Sequence, residues 1–194
     1  MKKVEPQEKH ERFPPLSTSL PTFLKDGCDA GFRQTIYGLL QVSALMLKAR
    51  EYYGAYIGVS GPQYSMMVAI AELRETTVRD LSTKLHVSGP FITVEINKLI
   101  KAGYVAKRPD DNDRRSSLLS LTEEGVEHVK KVSTIRMMTN DAIFGSFDAA
   151  DAQSLQRLVK ALVRDLEVAV HHLESPQWKP EPSARGPWQR SQEK

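Results

Sequence analysis

The chain is predicted to be mainly α with a small β-hairpin wing, a winged helix-turn-helix joined to a helical dimerisation domain. Residues 77–121 read as two short helices followed by a charged hairpin. Long segments on either side carry apolar residues at helical spacing. Prolines collect at the ends: of 11 in 194 residues, Pro6, Pro14, Pro15 and Pro21 stand near the N-terminus and Pro176, Pro180, Pro182 and Pro187 near the C-terminus. The expected organisation is one folded unit. Residues 1–27 form a mostly irregular N-terminal extension, 28–57 and 122–175 the helical dimerisation region, 58–121 the winged helix-turn-helix, and 176–194 a disordered tail.

The N-terminal extension contributes Leu16, Leu20, Phe23 and Leu24, which suit local packing against a second subunit. From about residue 30 to 53, Ile36, Leu39, Leu40 and Leu47 recur at helical spacing, and Val42, Leu45 and Met46 widen the stripe beyond one face. A helix apolar over so much of its circumference is buried between elements or subunits. Gly58 to Pro62 is a turn, and Pro62 suits the first turn of a helix to Leu73, with Tyr64, Met67, Val68 and Ala71 on one face. Met66 and Met67 read as core filler.

Thr77 and Asp80 have capping-box spacing, so a helix runs from Val78 to Leu85. Ser88 is the expected N-cap acceptor of the next helix, with Pro90 in its first turn and Gly103 at its end. Ile92, Ile96 and Leu99 give that helix a buried face, leaving Thr93, Asn97, Lys98 and Lys101 outside. The pattern then changes to Tyr104–Arg108, a charged loop, and Ser117–Leu121, which is a hairpin ending in Arg114-Arg115. Helix, turn, helix with a polar outer face, and charged hairpin make the layout of a winged helix-turn-helix that binds DNA.

Thr122 caps a helix that carries Glu123 and Glu124 in its first turn, favourable to the helix dipole, and runs to Phe144. Gly145-Ser146 interrupts it, and Asp148 with Asp151 opens a last helix. There Leu155, Leu158, Val159, Leu162, Leu166, Ala169 and Leu173 form one stripe over about five turns. A stripe of that length needs a partner surface, and two-fold pairing supplies one while matching a palindromic site.

The stretch VRDLSTKLHVSGPFITVEINKLIKAGYVAKRPDDNDRRSSLLSLTEEG closely resembles the DNA-binding core of the MarR family of transcriptional regulators. Its most specific features are D-x-x-D-R-R in the wing and L-T-E-x-G after it. The resemblance covers about a quarter of the chain and implies an all-helical homodimer with two winged lobes, most often a repressor released by a small phenolic or aromatic ligand.

On this reading Ser88 and the free N–H groups around it meet phosphate. Thr93 and Asn97 reach base edges, and Lys98 and Lys101 reach phosphates. The resemblance places minor-groove contact on Arg114 or Arg115, with Asp113 holding one guanidinium. The helix departs from the family pattern at Gly89-Pro90-Phe91 and Val94-Glu95. Phe91 and Val94 offer apolar contacts to thymine methyls, and Glu95 is expected to repel phosphate.

The resemblance also implies an effector pocket between the dimerisation helices and the back of the helix-turn-helix, with Arg33, Tyr37 and Tyr64 as candidates for an aromatic carboxylate. Arg33 pairing with an acid, and the tyrosines packing an interface, is the alternative use of the same residues. Cys28 raises oxidant sensing, because some relatives sense peroxides through a cysteine near the start of this helix. Gly27-Cys28-Asp29 does not match their pattern, and Asp29 opposes thiolate formation.

Composition bounds the remaining classes. A formal net charge of +3 is too small to diagnose nucleic-acid binding by itself. Residues 77–121 hold eight basic side chains against five acidic ones, an excess that carries weight through its place on the hairpin and outer helix face. No glycine-rich strand–turn–helix marks an enzyme, and no cofactor is expected. His171 and His172 are adjacent and face apart, a poor metal pair. No apolar run reaches the ~20 residues that cross a bilayer, and with a single cysteine the expected location is the cytoplasm. A winged helix used only for protein–protein assembly is the rival from another class.

Overall fold

The computed structural model describes residues 13–111, 113 and 115–175, so the irregular tails expected for residues 1–12 and 176–194 lie outside the described residues. Among the described residues a short 3-10 helix, Pro21–Phe23, precedes six α-helices and one hairpin in the order α1 (Ala30–Tyr56), α2 (Gly61–Leu73), α3 (Val78–Leu85), α4 (Gly89–Lys101), β1 (Val105–Pro109), β2 (Ser117–Leu121), α5 (Glu123–Phe144) and α6 (Ala149–Glu174). No helix among the described residues is long and apolar enough to cross a membrane. The chain divides into two compact units, residues 1–139 and 140–194.

In the first unit, Asp29 stands at the start of α1 with its carboxylate turned to the preceding segment. Its Oδ2 accepts from the Ser17 amide at 2.7 Å and the Ser17 hydroxyl at 2.6 Å, and Arg33 pairs with Oδ1. The side chain is buried, and the Ser17 hydrogen bonds hold its carboxyl below the ordinary carboxylate range. This clasp ties residues 17–29 to α1, with Phe23 against Phe32 at 5.1 Å.

The turn into α2 needs Gly54, because a Cβ there would stand 2.7 Å from the Val59 carbonyl oxygen. Ser60 then caps α2 with Gln63 in a reciprocal capping box, and the Glu51 carboxylate accepts from the Gly61 amide at 2.9 Å. The buried face of α2 is Tyr64, Met66, Met67, Ala69 and Ile70. Ala71, expected on that face, is exposed, because the covered arc is centred nearer Met66 and Ile70.

Those residues form one core with Leu81 of α3, Ile92, Ile96 and Leu99 of α4, Val105 and Leu119 of the hairpin, and Val132 of α5. Truncating any one of these large aliphatic side chains to alanine costs about 2–5 kcal/mol. The Thr77–Asp80 capping box is formed, and His86 ends α3 in the left-handed region. The hairpin is antiparallel, with Val105 opposite Leu121 and Pro109 opposite Ser117, one residue later than the expected first strand. Beyond the expected pair of strands, buried Thr76 bridges Leu119 through bonds of 3.1 and 2.8 Å in both directions.

The hydroxyl of Thr122 caps α5 by accepting from the Gly125 amide at 3.0 Å. Gly125 is where the helix passes the Tyr104 carbonyl, and an added Cβ would collide with that oxygen. In the second unit, Phe144 and Phe147 meet edge-on at 5.7 Å across the turn, and the Asp148–Asp151 capping box opens α6. No residue of α6 is buried in the single chain.

Gly125→Ala is predicted to destabilise the first unit by about 1–3 kcal/mol in denaturant titration, the usual cost of overpacking. Gly89→Ala, with nothing within 4 Å of the added methyl, should leave the midpoint within about 0.5 kcal/mol of the parent.

Candidate nucleic-acid interface

The second helix of the helix-turn-helix, α4, is seated by its apolar face. Ile92, Ile96 and Leu99 are buried, so Thr93, Asn97, Lys98 and Lys101 are exposed by the 3.6-residue period. Phe91 and Val94 are also exposed, at 40% and 54%, and present apolar surface beside the polar groups. The Thr93 hydroxyl donates to the Gly89 carbonyl at 2.9 Å, which fixes its rotamer on the exposed face. Ser88 takes the extended backbone of an N-cap but makes no side-chain capping bond, contrary to expectation, so its hydroxyl and the nearby amides stay open.

Glu95 reverses its expected role. It is only 8% exposed, on the flank of the Ile92–Ile96–Leu99 face, and both carboxylate oxygens are engaged. Gln63 Nε2 donates to one at 2.8 Å and Lys98 Nζ to the other at 2.7 Å. A charge neutralised in this way does not project toward a phosphate backbone.

A groove of about 530 Å³ lies between the start of α3, the start of α4 and the hairpin. Arg79, Lys107 and Arg115 line it together with Thr77, Ser82, Thr83, Ser116 and Ser117. Only Arg115 among these was a sequence-predicted contact. Arg79 and Lys107 were legible as basic residues but not as one site, because only folding brings the α3 start against the hairpin.

Strand alternation separates Lys107 from its neighbour. Arg108 is held by the Glu75 carboxylate through two bonds of 3.0 and 2.9 Å and lies 3.3 Å from Asp111. The pair fastens β1 to the segment before α3. At the tip, Asp113 Oδ1 accepts from the Arg115 amide at 3.0 Å, and the Asp113 carbonyl accepts from the Ser116 amide at 2.8 Å. Asp113 thus shapes the backbone that presents Arg115. Arg114 lies outside the described residues.

The expected effector residues are not assembled by one chain. Arg33 is committed to Asp29, and Tyr37 is 65% exposed. Tyr64 is buried and packs edge-on against Tyr53 at 5.5 Å. Tyr53 is sixteen residues from Tyr37 on α1, about 24 Å along a helix rising 1.5 Å per residue. A different cavity, of about 480 Å³, opens between α1, α2 and the α3–α4 pair, lined by Leu47, Arg50, Ser65, Met66, Lys84 and Phe91 among others. Among the described residues no cluster of three or more His, Cys, Asp or Glu side chains is placed to hold a metal ion.

Residues 57–116, from the end of α1 to the hairpin tip, match the family model described as the MarR family. That segment, less than a third of the chain, is similar to the MarR family. The Escherichia coli HTH-type transcriptional regulator PrsX is 27% identical over 119 residues, 60% of this chain and 71% of that protein. AbsC, a MarR family transcriptional regulator from Streptomyces coelicolor, shares the fold at a TM-score of 0.62 and 22% identity, over 74% of this chain and 97% of its own. A mutant MarR from E. coli, solved in complex with operator DNA, superposes with a TM-score of 0.53 at 19% identity, over 66% of this chain and 95% of its own.

The Glu75–Arg108 clamp makes a pH prediction. Hydrogen bonds from Arg108 hold the Glu75 carboxyl below its ordinary 4.5. A lowered folded-state value means that the contribution is complete above pH 4.5 and is lost as pH falls through the lowered value. Protection of the β1 and β2 amides, taken relative to their intrinsic exchange rate at each pH, should fall over that acid window, and Glu75→Gln should lower it at neutral pH and flatten the response.

Proposed function

We propose that this chain is a MarR-family regulator, homodimeric, ligand-responsive and DNA-binding, a repressor that seats one winged lobe on each half of a pseudo-palindromic operator. The observation that carries the reading is the groove shared by α3, α4 and the hairpin, where Arg79, Lys107 and Arg115 converge beside the open start of α4. Its depth and hydroxyl lining suit a phosphate backbone. In this reading α4 enters the major groove, Thr93 and Asn97 read bases, and Ser88, Lys98 and Lys101 meet phosphates. The hairpin carries Arg114 or Arg115 to the minor groove. A cytoplasmic location follows from work on DNA.

Residues 58–121 are assigned to DNA and residues 28–57 and 122–175 to dimerisation. In the single chain Leu40, Leu45 and Leu47 of α1 are 61–66% exposed, and Leu158, Leu166 and Leu173 of α6 are 52–59% exposed. Apolar surface on that scale favours a second copy, since apolar area removed from water stabilises association by about 25 cal/mol per Å² before entropic costs. The ligand reading moves to the cavity behind α4, where Arg50, Glu51 and Lys84, the last paired with Glu72 at 3.1 Å, accompany Leu47, Met66 and Phe91. A small aromatic compound with polar substituents suits such a lining. Asp29, next to Cys28, keeps a negative charge beside the thiol, so a ligand is preferred to thiol oxidation as the signal.

Titration of duplex DNA across a salt series tests the reading. The parent should bind with a log–log salt slope of several units, and Lys107→Ala or Arg115→Ala should each lower the slope by about one. Salt-independent or absent binding would favour a protein-assembly role instead. For the dimer, Leu162→Lys with Leu166→Lys is expected to give monomer or aggregate by light scattering, and a soluble monomer from the parent would contradict the architecture.

A further inference from the structure

Glu95 is the one acidic side chain on α4, and its surroundings are specific. The Ser60 amide donates to Gln63 Oε1 at 3.0 Å, Gln63 Nε2 donates to Glu95 Oε2 at 2.8 Å, and Lys98 Nζ donates to Glu95 Oε1 at 2.7 Å. A continuous chain of bonds thus runs from the cap of α2 to an ammonium group on the exposed face of α4. The carboxylate side chain is 10% exposed, whereas that of Lys98 is 59% exposed.

We propose that Glu95 is a positioning residue for specificity, which aims Lys98 at one place on the DNA backbone and withholds its charge from DNA in any other register. The inference rests on the DNA-binding reading above.

An ammonium has three donors, and one is taken by Glu95, leaving two for a phosphate. The amide of Gln63 is anchored in turn by its capping box, so the carboxylate cannot follow Lys98 if the lysine swings away. A free lysine on a flexible stem finds a phosphate on any duplex in many geometries, which strengthens binding without sequence information. A tethered lysine, with its charge matched locally by Glu95, gains only where the backbone passes the tethered position. Specificity is a ratio of affinities, and lowering the wrong-site affinity raises it as effectively as new contacts do.

Glu95→Gln tests this directly. The amide oxygen of the new side chain can still accept from Gln63, while its NH₂ faces Lys98 and releases it. Two probes are used, a mixed-sequence duplex and the genomic fragment that the parent retains most tightly. The variant should bind the mixed-sequence duplex tighter, on the order of fivefold at moderate salt, with a salt slope steeper by about one unit. Affinity for the genomic fragment should change less, so the ratio falls. In a Lys98→Ala background the same substitution should do nothing to either affinity.

A buried residue of purely structural importance would weaken both probes together, with or without Lys98, and that outcome would overturn the inference. Unchanged binding of both probes by a folded Glu95→Gln would overturn it as well. Gln63→Leu guards the test against misfolding of the first variant, because it breaks the anchor without altering charge and should move the ratio in the same direction. A parent that binds no duplex would sink the DNA reading itself, whereas a parent that binds and a ratio that does not move sinks only the role of Glu95.

Discussion

The burial of Ile92, Ile96 and Leu99 governs the rest of this molecule. These residues seat α4 in a core shared with Met67 and Ile70 of α2, Leu81 of α3 and the hairpin residues Val105 and Leu119. Once that face is committed, the helical period decides which side chains look outward, and the antiparallel register of β1 and β2 decides that Lys107 and not Arg108 lines the groove. The hairpin enters that core through Val105 and Leu119, and polar contacts hold it further: the Thr76–Leu119 bridge and the Glu75–Arg108 clamp. The exposed groove thereby has a rigid floor and a rim fixed by ion pairing.

Much of this was legible in the amino-acid order because it depends on local physics. The bounds of α2, α3, α4 and α5 follow from Pro62, Thr77 with Asp80, Pro90 with Gly103, and Thr122, each acting within one turn of its own position. The Ser60–Gln63 capping box was equally available as S-x-x-Q and was missed. Glu95 failed for a different reason. Its spacing of three from Ile92 puts it on the inner side, but a carboxylate is expected outside unless paired, and its partner Gln63 lies 32 residues away. The Arg108–Glu75 pair spans 33 residues and was hidden in the same way.

The effector side of the reading shows how little a list of residue types constrains a pocket. Arg33, Tyr37 and Tyr64 have suitable chemistry, yet Arg33 closes the clasp on Asp29, and Tyr64 packs more than four turns along α1 from Tyr37. Pockets depend on where elements converge, and here α1 approaches α2, α3 and α4 near Leu47 and Arg50. A ligand there would touch Phe91 in the first turn of α4, the helix assigned to DNA, which gives a direct physical route from occupancy to DNA affinity.

The central claim is that the grooved face between α3, α4 and the hairpin reads a two-fold DNA sequence. Sequencing the genomic fragments retained by the purified full-length protein, followed by footprinting of the most enriched fragment, tests it most directly. The account predicts an imperfect inverted repeat whose half-sites are centred about 10 base pairs apart, with protection on one face of the duplex. Retention of fragments with no shared sequence, or equal affinity for a single unrepeated half-site, would contradict it.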